Sequence, residues 1–257
     1  MTKSLLLSSA ALVLGLTFAA TAANASVSGT LGASYASDTD NSSGDLWNVN
    51  GSLTGMMGGD WGLEGTGGYH SISGSGSNLD IWNVGGSAFW QMTQGRLAAS
   101  VNYFSTSSSG LDLNQTSYGV GGEWYAGSNF TVALKGGGQT ISAYGSDASG
   151  GYVGGMLKWY AMPNLALSGQ VDYTEFSGTH YTSEGIQAEW MFSNTMPLSI
   201  YGGWQHQEIS GGSSGNTFDV GLKFYFNNPT GGSLVDRQRS GSLGYIAQGS
   251  FLGLPTN

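Results

Sequence analysis

From residue 27 to residue 226 the chain alternates apolar and polar positions with a period of two, and no helical stripe interrupts it. Clusters of Gly, Ser, Asn and Asp cut this stretch into twelve segments, at 27–36, 46–57, 61–72, 79–92, 96–106, 115–126, 130–143, 151–161, 165–176, 184–193, 198–209 and 217–226. The predicted class is therefore all-β. The connections alternate in length. Long polar ones (38–45, 73–78, 107–114, 144–150, 177–183 and 210–216) exchange with short ones (58–60, 93–95, 127–129, 162–164 and 194–197). An up-and-down antiparallel barrel with short turns at one end and longer loops at the other predicts this order. Greek-key crossovers of a soluble sandwich do not.

Parity within the segments identifies the environment of each face. In the third, Trp61, Leu63 and Tyr69 oppose Glu64, Thr66 and His70; in the ninth, Leu165, Leu167, Val171 and Tyr173 oppose Ser168, Gln170 and Asp172. Nine charges in the spans share the polar parity, Glu64, Arg96, Glu123, Lys135, Lys158, Asp172, Glu189, Asp219 and Lys223, apart from the acidic residues in or beside the long loops. A Lys or Arg facing lipid at mid-depth costs about 2–4 kcal/mol, so the apolar parity is read as lipid-facing and the nine as candidate pore-lining residues. Aromatics gather toward both segment ends. Trp61, Trp90, Trp124, Phe130, Trp159, Phe192 and Phe226 lie near the short turns, and Tyr35, Trp47, Tyr69, Trp82, Tyr103, Tyr118, Tyr173 and Trp204 near the long ones, as two interfacial girdles require. Aromatic packing in a soluble sandwich is the other reading.

Composition agrees. Charged residues are 9% of the chain, against about 25% in an average soluble domain. With Lys+Arg 7 against Asp+Glu 16, the chain is a poor nucleic-acid binder, and its lack of Cys excludes disulfides, thiolate metal sites and thiol nucleophiles. Lys3, the apolar run 5–20 and Ala23-Asn24-Ala25 fit a cleaved signal peptide over residues 1–25, with a membrane anchor as the alternative.

Asp219-Val220-Gly221-Leu222-Lys223-Phe224-Tyr225-Phe226 resembles the closing-strand signal of Gram-negative outer-membrane β-barrel proteins, matched at Asp219, Gly221, Phe224 and Phe226. The resemblance implies a transmembrane up-and-down antiparallel β-barrel over 26–226, porin-like, in the bacterial outer membrane. Its implied partners are outer-membrane lipid and lipopolysaccharide, the barrel assembly machinery and small polar solutes or ions, with a homo-oligomer open and no cofactor. That signal usually ends the chain, yet residues 227–257 follow it here. A periplasmic extension, a plug entering the lumen and an extra hairpin are the alternatives, and an irregular, polar periplasmic extension is expected.

Small inward residues such as Ser28, Thr30, Gly32, Asn48, Asn50, Ser52, Gly119 and Gly121 favour a water-filled lumen. The inward charges either set a transverse field across a constriction or pair and partly block it. Asp38, Asp40, Asp45, Asp80, Asp112, Asp147, Glu175, Glu184 and Glu208 mark the long-loop end without a Lys or Arg, so a negative vestibule and a weak cation preference are expected; a solvated acidic surface or divalent-cation bridging to lipopolysaccharide accounts for the same residues. His70-Ser71, His180 and His206 are the only candidates for hydrolysis, and no catalysis is expected of them. An autotransporter translocator would need a passenger upstream. The expected function is passive diffusion of small polar solutes or ions, with a non-conducting barrel, acting as a surface interaction or envelope-structural protein, as the alternative.

Overall fold

A computed structural model describes residues 27–39, 44–74, 77–108, 111–193, 196–212, 214–227 and 232–248. The proposed signal peptide, residues 1–25, and Asp40 lie outside them. Twelve strands form: β1 (Val27–Asp38), β2 (Asp45–Gly58), β3 (Trp61–Gly74), β4 (Ser77–Met92), β5 (Gly95–Ser108), β6 (Leu111–Ala126), β7 (Phe130–Ala143), β8 (Ser146–Met162), β9 (Leu165–Phe176), β10 (Thr179–Met191), β11 (Leu198–Ile209) and β12 (Ser214–Phe226). Each pairs antiparallel with its sequence neighbours, and β1 pairs with β12 from Gly29↔Phe226 to Asp38↔Thr217, which closes the barrel. Closure satisfies backbone groups that lipid cannot.

The parity reading holds. Leu63, Leu97, Val120, Leu134, Val171, Ile186 and Val220 are exposed on the outer surface, where they meet hydrocarbon. Trp61 stacks on Trp90 and Phe130 on Trp159 across neighbouring strands at the end where the chain enters and leaves the barrel, and Trp47, Tyr69, Trp82, Tyr118 and Tyr173 are exposed toward the other. An apolar exterior between two aromatic belts is the surface of a barrel embedded in a membrane.

The expected contrast between long and short connections is corrected. Strand pairing continues through most of the polar stretches: Ser142 pairs with Asp147 and Ala143 with Ser146, leaving only Tyr144 and Gly145 as the turn. Tyr144 (φ 52°) and Gly145 (φ 77°), like Ser177 (φ 45°) and Gly178 (φ 87°), both have positive φ, the requirement of the type I′ turn that matches strand twist. A polar residue marks where the chain leaves hydrocarbon. It does not end the ladder, because its backbone still needs a partner. The strands consequently project past the girdle, β8 running through 17 residues.

The tail is a second correction. Residues 232–248 fold back into the barrel from the end that carries the turns 93–94, 127–129 and 163–164, where an irregular extension away from it is expected from composition. They form α1 (Leu234–Ser240) and a single 3-10 turn (Gly244–Ile246). A helix of 7 residues is too short to hold itself. Its stability comes from the wall it packs against, which no local pattern in the tail reveals.

Candidate functional site: a lumen occupied by the C-terminal segment

The tail enters where the backbone N–H of Leu234 donates to the carbonyl of Pro163, in the β8–β9 turn, at 2.7 Å. Ser233 caps the helix by accepting from the N–H of Asp236. Leu234 then seats fully buried among Tyr160, Ala166, Met191 and Tyr225. Gln238 sits at the axis of the entrance. Its carbonyl accepts from Lys158 Nζ at 3.0 Å and Tyr160 OH at 3.1 Å, while its amide donates to Glu189 Oε2 at 3.0 Å. Arg239 turns outward to the β6–β7 turn, donating to the carbonyls of Gly127 and Phe130 with its guanidinium over the Tyr125 ring.

The end of α1 is held by one wall residue. Arg96, 1% exposed, donates to the carbonyls of Gly241 at 2.9 Å, Gln238 at 3.1 Å and Ser242 at 3.2 Å. The Gln238 carbonyl belongs to the last turn of α1 and those of Gly241 and Ser242 follow directly after it, at the end of a helix that favours a cation. Arg96 is itself fixed by Glu123, whose Oε2 accepts from Nη2 at 2.7 Å and Nε at 3.1 Å. Deeper in, Glu64 Oε2 accepts from the N–H of Leu243 and from Thr54 OH, both at 2.7 Å. Leu243 and Ile246 bury against Phe89, Ala98, Ala133 and Met156. Asn102 and Lys135 donate to the carbonyls of Ala247 and Gln248, and Tyr245 OH donates to Asp172 Oδ1 at 2.9 Å. Burial, reinforced by the Asp172 carboxylate, pushes the Tyr245 hydroxyl well above the ordinary tyrosine range.

All nine sequence-predicted charges face the interior, but they do not form an open charged ring. Glu64, Arg96, Lys135, Lys158, Asp172 and Glu189 contact the tail directly, and Glu123 does so through Arg96. Three ion pairs join them across the wall, Arg96–Glu123 at 2.7 Å, Lys135–Asp172 at 3.2 Å and Lys223–Glu189 at 3.7 Å. Pairing therefore replaces a transverse field. Small inward residues make room for other groups as well as for water. A Cβ on Gly121 would stand 2.8 Å from Cβ of Ile246, and one on Gly119 would stand 2.3 Å from the Tyr152 hydroxyl. A cavity of about 130 Å³ remains beside the tail, lined in part by Thr30, Asn50, Thr66, Lys223 and Arg237.

Sequence reasoning assigned the aromatics to lipid and missed the inward ones. Tyr160 and Tyr225 lie two residues from Lys158 and Lys223, Tyr125 lies two from Glu123, and their shared parity was the available signal. The acidic end is also rearranged. Asp45, Asp80, Asp147, Glu175, Glu184 and Glu208 sit on the outward parity of their strands toward the end with the projecting hairpins, so they surround the mouth without lining it. Asp38 keeps the inward parity, and the side chain of Asp112 lies outside the described residues. The histidines are dispersed: His70 is buried in the wall, His180 Nδ1 meets Tyr173 OH at 2.6 Å, and His206 Nδ1 lies 3.1 Å from Asn216 Oδ1. Among the described residues, no group of three or more His, Cys, Asp or Glu side chains is placed to hold a metal ion.

Comparison with solved structures identifies the architecture. The chain superposes on the KdgM porin with a TM-score of 0.55 at 12% identity, over 77% of this chain and 99% of that one. The same porin in complex with disordered oligogalacturonate superposes equally well, with a TM-score of 0.55 at 10% identity, 77% of this chain and 99% of that one being covered. The COG4313 outer membrane channel of Pseudomonas putida F1 gives a TM-score of 0.58 at 12% identity, covering 79% of this chain and 96% of that one. No protein-family model matches the sequence, and no curated protein matches it. The chain has the fold of these outer-membrane porins and channels.

Proposed function

We propose that this barrel is a diffusion channel of the outer membrane for small polar solutes or ions. The observation that carries the reading is that the bore is filled by a terminal segment and not by its own wall. A bore that admits α1 with its side chains, about 10 Å across, admits hydrated small solutes once that segment is elsewhere. The wall beneath carries acidic, basic and hydrogen-bonding side chains, as an aqueous route requires. Weak cation preference is part of the proposal. The rim carboxylates stand around the mouth with no basic residue among them, and their field reaches over about 8 Å at physiological ionic strength.

Planar-bilayer recordings of the refolded full chain test this. Discrete current steps with reversal potentials favouring K⁺ over Cl⁻ support it, and anion selectivity removes the cation proposal. Silence at every voltage, both from the natural chain and from a variant with a loosened tail, leaves the rival reading, an envelope-structural or surface-interaction barrel. The outward carboxylates fit the lipopolysaccharide headgroup layer. For Asp219, Gly221, Phe224 and Phe226 as assembly signal, the support is position: Phe224 and Phe226 stack on the lipid face of β12, and the Phe226 ring covers Gly29 at the β1–β12 seam.

A further inference from the structure

The contacts of the tail divide into two kinds. Its apolar side chains, Leu234, Leu243 and Ile246, are buried at 1% exposure or less. Its polar contacts are of two sorts, wall side chains reaching tail main-chain groups (Arg96 to three carbonyls, Glu64 to one N–H, Asn102 and Lys135 to one carbonyl each) and the tail side chains Gln238, Arg239 and Tyr245 reaching polar groups of the barrel. Water can take over every one of those polar contacts on both sides when the tail leaves, because each partner is a charged or amide group on a wall that would then be wet. The wall is specific for this segment all the same. Gly121 leaves the space that Ile246 occupies, and Arg96 is aimed at a helix C-terminus.

We infer that residues 232–248 are a displaceable ligand of the barrel's own interior, and that their binding holds the channel shut. The inference deepens the channel reading and rests on it. The closed form is the structure described above, and the open form is the same barrel with the segment released toward the end by which it enters. The barrel itself need not rearrange, since the strand ladder makes no use of the tail. The occupant is identified by chemistry: an apolar side chain at each level, and a helix end whose free carbonyls meet a fixed guanidinium.

The natural chain contains no Cys, so a tether can be introduced cleanly. In the full chain, Gly121→Cys with Ile246→Cys brings two Cβ atoms within a shift of about 1 Å of disulfide separation. Recorded in planar bilayers, the oxidised form should show open probability reduced about tenfold or more relative to the same protein after reduction. Equal currents in both forms, with the disulfide confirmed by mass spectrometry, overturn the inference while leaving the channel intact. Failure of the thiols to join under oxidant also overturns it, since Ile246 would then not lie against β6. A second variant, Arg96→Met with Glu123→Met, loosens the tail without a tether and should raise open probability; an unchanged value counts against the plug. Silence from both variants, reduced and loosened, defeats the channel reading itself, so the two failures are distinguishable.

Discussion

Arg96 offers the sharpest perturbation of the tail. Replacing it alone would strand Glu123, and a buried carboxylate without its partner costs about 3–5 kcal/mol for reasons unrelated to the plug. The double replacement Arg96→Met with Glu123→Met removes both charges and keeps the volume. What the tail then loses is three hydrogen bonds from a guanidinium, at 2.9, 3.1 and 3.2 Å. Taking about 1 kcal/mol for each, below the usual figure for a charged donor because released carbonyls recover water, gives about 3 kcal/mol. That shifts the released population about 100-fold. Trypsin reads it directly. Apart from Lys3, every Lys and Arg of the chain is on the inner wall or in α1, namely Arg96, Lys135, Lys158, Lys223, Arg237 and Arg239. A folded barrel can therefore be cut only at Arg237 and Arg239, and only while the tail is out. With opening fast relative to cleavage, the rate follows the released population. The double variant should lose its C-terminus about 100 times faster than the natural chain, while Asp219→Asn, a wall carboxylate away from the tail, should not change the rate. A rise below about threefold would mean that Arg96 does not hold the segment.

Alkali should loosen the tail through Tyr245. Its hydroxyl titrates above the ordinary tyrosine value, so the stabilisation it gives is complete below about pH 10 and is lost as pH rises through the elevated folded value. Open probability in bilayers should rise in that direction in the natural chain, whereas Tyr245→Phe should release the tail faster under trypsin at neutral pH and show a smaller alkaline rise. On the opposite face, Val220→Lys places a cation against hydrocarbon and should lower unfolding stability in vesicles by about 2–4 kcal/mol, measured by urea titration; an unchanged midpoint would contradict the lipid-facing assignment of β12. At the projecting end, Gly178 has φ 87°. Gly178→Ala should destabilise the β9–β10 hairpin by about 1 kcal/mol, read as faster amide exchange at Thr179 and Phe176, and Gly178→Asn should be milder.

The two halves of the architecture differ in how far the sequence reveals them. The wall obeys a period of two imposed by lipid on one side, and that constraint is written residue by residue. It is why Glu64 and Leu63, or Lys223 and Leu222, can be sorted without coordinates. The ends of the strands are less legible, because Ser142 and Asp147 are polar whether they turn or pair. The tail is least legible. Val235, Asp236 and Arg237 carry no helical stripe, and α1 exists because Arg96 and the Tyr160–Tyr225 floor receive it. Such a segment is specified by a surface assembled from several strands, Arg96 lying 145 residues before the Gly241 carbonyl it binds. Only the small inward residues hinted at it, and Gly121 is explained equally well by water until Ile246 is seen beside it.

The chemistry of that surface bears on whether the plug is permanent. A lumen filled once and for all is most cheaply filled with apolar side chains, since buried ion pairs can often be replaced by hydrophobic groups at no loss or with a gain. This wall does the reverse. Glu64, Arg96, Glu123, Lys135 and Glu189 are each no more than 9% exposed beneath the tail, and their polar groups are held by partners that the tail supplies only in part. Arg96 needs Glu123 as well as three carbonyls, and Lys135 needs Asp172 as well as one. Desolvating these groups weakens the closed state and costs nothing in a state where water fills the bore. The charges thus make sense as a compromise between two conditions of the same wall. They are paired closely enough to tolerate burial when Leu243 and Ile246 are seated, and they remain ready to face solution when those side chains withdraw. A purely structural barrel has no use for the second condition, whereas a channel closed by its own C-terminal segment requires both.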